Sequence, residues 1–151
     1  MKKQLFTLLF ITIFFSCQNH QKISDIEVKD AFYNLFDVLD NDPKNFGEVV
    51  TDDFLIFENS KRYNLDEFIE FVMGFDIIES ERKFKNLSID TDSNSAHITL
   101  DHHGEFLINT PNGKQRLIFD WLESAYLIKD GKSLKFKFYF SEAIKDTIIS
   151  L

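Results

Sequence analysis

Apolar residues after residue 24 recur at helical spacing, at Val28, Ala31, Phe32, Leu35 and Leu39. This spacing places them on one face of a helix. Ser24 and Glu27 have the spacing of a capping box, and Pro43 ends the run because proline cannot continue a helix. The pattern therefore predicts a first helix from residue 24 to about residue 41.

A second capping box, Asn64 with Glu67, opens another helical stretch. Its members share one apolar stripe, made of Leu65, Phe68, Ile69 and Val72. Between the two helices, Asp42-Pro43 can start a short helix, and residues 54–58 are rich in strand-forming side chains. This part of the chain is predicted to run helix, short helix, strand and helix.

From about residue 82 the apolar period changes from helical spacing to alternation, which is typical of strands. Asn112-Gly113 and Asp130-Gly131 interrupt the pattern, and such pairs favour tight hairpin turns. Helices followed by a meander predict an α+β fold with the sheet wrapped on the helices. Four strands are predicted, near residues 82–91, 96–109, 114–129 and 133–141.

This order of elements resembles the nuclear transport factor 2-like, or SnoaL-like, superfamily. The segment from Trp121 to Lys132, which runs into Phe136-Lys137-Phe138, is similar to the last hairpin of that family. The resemblance implies that residues 24-151 form one cone-shaped α+β domain, with a curved antiparallel sheet around an internal pocket. Because the family includes isomerases, dehydratases, epoxide hydrolases and many non-enzymes, the resemblance implies a pocket without a reaction.

The two hairpin turns predict which residues face each other. With Asn112-Gly113 as a two-residue turn, His102 faces Glu123, and with Asp130-Gly131 as another, Glu123 faces Phe138. A turn at Ser93-Asn94 adds Lys85 to the same row, beside His102. The resulting face is otherwise apolar and is predicted to be the concave one. Its predicted pocket lining is Phe32 from the first helix with Leu100, Phe106, Trp121 and Phe138 from the strands.

The row of Lys85, His102 and Glu123 is the candidate site of the chain. A carboxylate against an imidazole in an apolar pocket is a usual environment for a general acid or base. Two other interpretations stay open: a buried structural pair, or a β-bulge that turns Glu123 outward. A metal site is not predicted, because adjacent strand residues such as Asp101, His102 and His103 point to opposite faces.

Three functions follow from this pattern. The first is a pocket that binds a small apolar ligand or a partner protein. The second is a cofactor-free isomerase or dehydratase, with Glu123 as acid or base, His102 as its partner and Lys85 as an electrostatic aid. The third is a structural module that pairs as a homodimer through its sheet. No phosphate-cradling glycine loop or serine nucleophile elbow occurs, so no cofactor is predicted.

The N-terminal segment has the layout of an export signal. Lys2 and Lys3 precede an apolar run from Leu5 to Phe15, which is too short to span a bilayer, and Cys17 follows. The ending resembles the lipobox of bacterial lipoproteins. It implies that residues 1-17 are a signal peptide ending in a lipidated Cys17, and that residues 18-23 are a tether. Ordinary secretion and an uncleaved anchor are the alternatives.

Charge and cysteine content narrow the partners and the location. The chain carries a net charge of −8, so the basic footprint that nucleic acid binding requires is missing. Cys17 is the only cysteine, so no disulfide can form within the domain. The sequence therefore predicts a lipid-anchored protein of the bacterial cell envelope, held at the membrane by its acyl chains.

Overall fold

The computed structural model describes residues 21–151, so Cys17 and the predicted signal peptide lie outside the described residues. Within residues 21–151, no helix is long and apolar enough to cross a membrane. The elements are α1 (Asp25–Asn41), a 3-10 helix (Pro43–Glu48), β1 (Val50–Glu58), β2 (Lys61–Asn64), α2 (Leu65–Met73), β3 (Asp76–Thr91), β4 (Ser95–Thr110), β5 (Gly113–Asp130) and β6 (Ser133–Ser150).

Both predicted capping boxes are present. The Ser24 hydroxyl accepts from the Glu27 N–H at 3.2 Å, and the Ser24 N–H donates to the Glu27 carboxyl at 2.8 Å. Asn64 and Glu67 make the same reciprocal pair at the start of α2. Ile23, which the sequence places at the end of the tether, is 2% exposed and its N–H donates to the Asp92 carbonyl. The packed domain therefore begins at residue 23.

The strands form one curved six-stranded sheet in the order β2-β1-β6-β5-β4-β3. The predicted α+β class is confirmed, and one pairing differs from an all-antiparallel sheet because β1 runs parallel to β6. Residues 61–64 form an additional short strand, β2, and β6 continues nine residues beyond its predicted end at 141. The long β5–β6 ribbon is the centre of the sheet.

Both hairpin registers are shifted by two residues from the prediction. Thr110 pairs with Gly113, so His102 lies opposite Trp121, and Glu123 lies opposite Leu100 instead of His102. In the last hairpin, Asp130 pairs with Ser133. A shift of two residues keeps every side chain on its face, because side chains alternate with a period of two. His102 and Glu123 therefore remain on the concave face as diagonal neighbours.

Two β-bulges place two predicted site residues, Lys85 and Phe138, on the outer face of the sheet instead of the concave face. Between Lys85 and Ser88 the register slips at Asn86, whose φ is 55°, so Phe84 faces His102 and Lys85 is exposed on the other face. Between Tyr126 and Leu127 the register with β6 slips by one residue, so Phe138 also points to the outer face. There Phe138 packs edge-on against Phe57, with ring centroids 5.4 Å apart.

The core consists of two apolar clusters separated by the site residues. The larger cluster joins the helices to one end of the sheet, and its fully buried members include Phe32, Phe46, Ile98, Leu127 and Phe136. The smaller cluster, made of Phe106, Ile108, Leu117 and Trp121, lies toward the other end. Packing leaves two connected chambers within the cone, and the site lies there.

Candidate functional site

Two adjoining chambers open inside the cone, an inner one of about 70 Å³ and an outer one of about 160 Å³. The wall common to both consists of Leu39, Glu58, Phe68, Arg82 and Trp121. Hydrocarbon side chains line most of the outer chamber, including Phe71, Val72, Phe75, Phe106 and Phe119. Polar side chains are concentrated in the inner chamber, which therefore contains the candidate functional groups.

His102 and Glu123 form a buried pair on the floor of the inner chamber. The Nδ1 atom of His102 lies 3.0 Å from the Glu123 Oε1 atom, and the two side chains are 2% and 4% exposed. Glu123 also accepts from the Tyr139 hydroxyl at 2.8 Å and from the Ser141 hydroxyl at 3.3 Å. Three donors on one carboxyl suit its ionised form, which is an acceptor only. We therefore assign the donor role in this contact to His102 Nδ1, since a carboxylate can only accept.

The imidazole of His102 is fixed in orientation by aromatic rings on several sides. Its ring stacks on Trp121 with centroids 4.7 Å apart, and Phe84 and Phe36 lie at 4.7 Å and 5.2 Å. Its second nitrogen, Nε2, is buried and has no hydrogen-bond partner among residues 21–151. An unpaired buried polar atom costs roughly 1–3 kcal/mol, so this nitrogen marks His102 as a candidate functional residue.

Glu58 extends into both chambers from the end of β1. The pKa of Glu58 is raised to about 7, mainly by burial and also by the nearby Glu123 charge, while the Ser141 hydroxyl and the Trp121 N–H partly counter the rise. Burial and the Glu123 charge also raise the pKa of Tyr139 well above its ordinary value. Near neutral pH, Glu58 can therefore give or take a proton, while Tyr139 remains a hydroxyl donor.

The indole N–H of Trp121 is a second buried polar group without a partner within the described part of the chain. Its approach to Glu58 is close enough to affect that pKa but does not meet hydrogen-bond geometry. The ring stacks on Phe119 at 4.9 Å and lies against Gly104, where a Cβ atom would come within 2.8 Å of the indole. Gly104 therefore allows Trp121 to reach the cavity.

Arg82 is the cationic residue of the cavity wall, and Asp40 neutralises it. The Nε and Nη2 atoms of Arg82 donate to Asp40 from α1 at 2.9 and 2.7 Å, a bidentate pair. The guanidinium lies between the rings of Phe36 and Phe106, at 5.0 and 4.8 Å from their centroids. The pair closes the wall between the two chambers.

The predicted pocket residues divide into three groups. His102, Glu123, Trp121 and Phe106 line the chambers, as the sequence analysis expected of this face. Phe32 and Leu100 are buried in the larger core cluster and do not reach either chamber. Lys85 and Phe138 lie on the outer face, so neither can act in the cavity.

The sequence did not predict four polar residues of the inner chamber: Glu58, Arg82, Tyr139 and Ser141. A signal for Glu58 existed, because Phe54, Ile56 and Glu58 alternate along the inner face of β1. Arg82, Tyr139 and Ser141 face the cavity because of the two bulges, which no turn motif announces. Within residues 21–151 no three histidine, cysteine or acidic side chains come together in a way that could hold a metal ion.

Comparison with known proteins identifies the fold. No sequence-family profile matches the chain, and no curated protein matches it. Similar solved structures include a proposed aromatic ring hydroxylase from Novosphingobium aromaticivorans, with a TM-score of 0.70 and 11% identity over 82% of this chain and 92% of that one. A proposed scytalone dehydratase from the same species has a TM-score of 0.68 and 13% identity, covering 83% and 87%.

A third similar structure is the hexachlorocyclohexane dehydrochlorinase LinA-type3 from Novosphingobium barchaimii. It has a TM-score of 0.65 and 13% identity, and the match covers 82% of this chain and 88% of that one. At such low identity these likenesses establish the fold alone. The chain has the nuclear transport factor 2-like, or SnoaL-like, fold that the sequence predicted.

Proposed function

We propose that this protein binds a small, mainly apolar molecule in its cone and removes a proton from one of its carbon atoms. The observation that carries the proposal is His102, which lines the inner chamber and whose buried Nε2 atom has no protein partner in the described chain. In this proposal His102 is the neutral tautomer, with its proton on Nδ1 toward Glu123 and with Nε2 as the acceptor. This is the arrangement of an oriented general base.

The reaction divides between a base and an acid. His102 Nε2 takes the proton from carbon, and the electron pair of that C–H bond forms a new double bond. In a dehydration the bond to a hydroxyl group then breaks, and Glu58 supplies the proton with which that group leaves as water. The environments of Glu58 and Glu123 differ enough to give these two carboxyls different roles, because Glu58 has its pKa raised to about 7.

Two observations favour this function over ligand storage or a structural role. Phe106 and Trp121 do not fill the cone, so a purely structural packing is disfavoured. Solved structures with this fold include proteins described as a dehydrochlorinase and a dehydratase, both names for elimination reactions. A ligand-binding protein without chemistry is the second candidate, and it would use the same cavity without needing the free nitrogen.

A general-base substrate tests the proposal without knowledge of the natural one. In 5-nitrobenzisoxazole, removal of one C–H proton forms a nitrile as the N–O bond breaks, releasing a coloured phenolate. We expect saturable turnover that falls by roughly 100-fold or more in His102→Gln, which keeps the size of the side chain and removes the base. The matched control is His97→Gln, because His97 contacts Ser124 on the outer face at 2.8 Å.

Two results would contradict the proposal. One is a wild-type protein that is no faster than free imidazole at equal concentration, since the cavity would then give the base no advantage. The other is a His102→Gln variant that keeps the wild-type rate. Ligand binding without turnover would leave the second candidate function.

We also propose that the cone is attached to the bacterial cell envelope through lipid on Cys17. The support is the sequence pattern of Lys2, Lys3, the apolar run and Cys17. In a bacterial host fed an alkyne-tagged palmitate, the wild-type protein should carry the tag and sediment with membranes, and Cys17→Ser should do neither. An untagged wild-type protein in the soluble periplasmic extract would contradict the proposal.

A further inference from the structure

We infer that the ligand of this cavity carries a neutral carbonyl oxygen that accepts a hydrogen bond from the Trp121 indole N–H, and that the cavity rejects carboxylates. The inference rests on the proposed function, because it places the ligand in the cavity that contains His102. It specifies a functional group of the ligand, the carbonyl, which the proposed reaction alone does not specify.

The Trp121 indole N–H is a buried hydrogen-bond donor whose hydrogen is not taken up by a protein group in residues 21–151. The indole N–H can only donate, and Trp121 is 8% exposed; within residues 21–151 this N–H approaches the Glu58 carboxyl without reaching hydrogen-bond geometry. Stacking on His102 and Phe119, at 4.7 and 4.9 Å, fixes the ring. A buried donor held in place on a cavity wall needs an acceptor from the ligand, since leaving it unpaired is unfavourable.

The ring that carries this donor lies against the proposed base, His102. The rings of His102 and Trp121 are in stacking contact and both residues line the inner chamber, so one small ligand can be near both side chains. A carbonyl compound presents an oxygen and, on the adjacent carbon, an acidic hydrogen. When His102 Nε2 takes that hydrogen, the C–H pair forms a C=C bond and the carbonyl π pair moves to oxygen. The Trp121 N–H then stabilises the charge that develops there.

The charged groups that line the chambers disfavour a ligand carboxylate. The chambers are lined by three carboxyl groups, from Asp40, Glu58 and Glu123, and by the single guanidinium of Arg82. Asp40 already neutralises that guanidinium through a bidentate pair, so among residues 21–151 no other cation lines the chambers for a ligand carboxylate. A carboxylate in these chambers would face like charges without compensation, which is unfavourable in a buried site.

Three probes of similar size test carbonyl recognition and carboxylate rejection separately. Acetophenone carries a neutral carbonyl, ethylbenzene has a methylene group in its place, and benzoate is the anion. Trp121 is the only tryptophan in the chain, so the ¹⁵N-labelled protein gives a single indole N–H signal. We expect acetophenone to shift the indole proton downfield at saturation, ethylbenzene to leave it without that shift, and benzoate to bind at least about tenfold more weakly than acetophenone.

A variant measures the hydrogen bond itself. Trp121→Phe keeps an aromatic ring and removes the N–H, so the ratio of acetophenone to ethylbenzene affinity should fall by roughly fivefold to tenfold. His97→Gln, on the outer face, should leave the ratio unchanged. The wild-type indole shift does not depend on how well the variant folds, so it tests the inference independently.

The inference is overturned if ethylbenzene and acetophenone produce the same indole shift, or if benzoate binds as tightly as acetophenone. These results are separate from those for the proposed function. Turnover of 5-nitrobenzisoxazole by His102 with no preference for the carbonyl would remove the inference alone. Carbonyl binding at Trp121 with no His102-dependent turnover would keep the ligand class and remove the proposed reaction.

Discussion

His102 and His103 are neighbours in sequence and each lies beside a carboxyl group of β5, but they lie on opposite faces of the sheet. On the concave face, the His102 side chain is 2% exposed and uses one nitrogen, 3.0 Å from Glu123. On the outer face, the His103 side chain is 32% exposed and uses both nitrogens, 2.7 Å from Asp120 and 3.4 Å from Glu105. The same two chemical groups therefore meet in two different environments.

The comparison shows which features make a histidine–carboxylate pair a candidate site. The outer pair is an exposed ion pair, in which Asp120 first and then Glu105 raise the pKa of His103. The inner pair is removed from water, and within residues 21–151 one of its nitrogens has no hydrogen-bond partner. Burial, a free nitrogen and an adjoining chamber distinguish the candidate pair, and the pairing itself does not.

The largest expected difference between the two faces is in stability. Glu123→Ala removes the shared acceptor of His102, Tyr139 and Ser141, and we expect it to lower the free energy of unfolding by about 3–5 kcal/mol. Asp120→Ala removes the partner of the exposed pair and should cost less than about 1 kcal/mol. Urea unfolding at pH 7 measures both, and equal losses would contradict the comparison.

Glu58 gives the concave face a pH dependence of its own. Because the folded-state pKa of Glu58 is about 7, above its ordinary 4.5, ionisation opposes folding. Relative to Glu58→Gln, the wild type should therefore lose stability as pH rises from about 4.5 to about 7, by roughly 2–3 kcal/mol, and lose no more above that. The charged groups around it are Glu123, Glu142 and Arg82.

Urea unfolding of both proteins between pH 4 and pH 9 gives this difference directly. Glu79→Gln is the control, because Glu79 is exposed at the start of β3. A wild-type–variant difference that stays constant across the range would show that Glu58 is not buried as described.

Gly104 follows His103 in sequence and lies on the concave face, so a substitution there tests the packing of that face alone. A Cβ atom there would lie 2.8 Å from rings of both Phe106 and Trp121, which are packed side chains with little room to move. We expect Gly104→Ala to destabilise the protein by about 1–3 kcal/mol and to change the fluorescence of Trp121. Gly47→Ala, which meets only ordinary contact at 3.6 Å, is the control, and equal effects would contradict the packing.

The smallest expected effect belongs to the outer pair. The pKa of His103 is raised, so its contribution to stability is complete below its ordinary value of 6.5 and is lost as pH rises through the higher folded value. His103→Gln should therefore lower stability by less than about 1 kcal/mol near pH 5.5 and by nothing measurable at pH 9. The surrounding charged groups are Glu81, Lys83, Glu105, Arg116 and Asp120.

Thermal unfolding at the two pH values measures this effect. A larger loss at pH 9 than at pH 5.5 would reverse the expected sign. Turnover of 5-nitrobenzisoxazole by His103→Gln should equal that of the wild type, since its side chain lies outside the cavity.

Local signals predicted the elements and the face of the site. The Ser24 and Asn64 caps act within one helical turn, so the sequence alone places both helix starts. His102 and Glu123 were placed on one face although both hairpin registers were off by two residues, because an even shift preserves the face. His102 and Glu123 are diagonal neighbours, so the prediction that they lie directly opposite each other was wrong.

The remaining site residues depend on long-range packing that local patterns do not contain. The bulge at Asn86 exchanges Lys85 for Phe84 on the concave face, and the slip near Lys137 exchanges Phe138 for Tyr139. Glu58 reaches the site because β1 pairs in parallel with β6, about eighty residues later in the chain. A single-residue slip changes a strand's face, so each bulge altered the predicted site more than either register error did.

The most direct measurement is the ¹⁵N chemical shift of both His102 ring nitrogens in the folded protein at pH 7. The proposed base role of His102 requires a proton on Nδ1, toward Glu123, and an unprotonated Nε2. It therefore predicts the two distinct shifts of the neutral Nδ1–H tautomer. A protonated Nε2, in either the other tautomer or the imidazolium, would contradict the account, because His102 could not then act as the base.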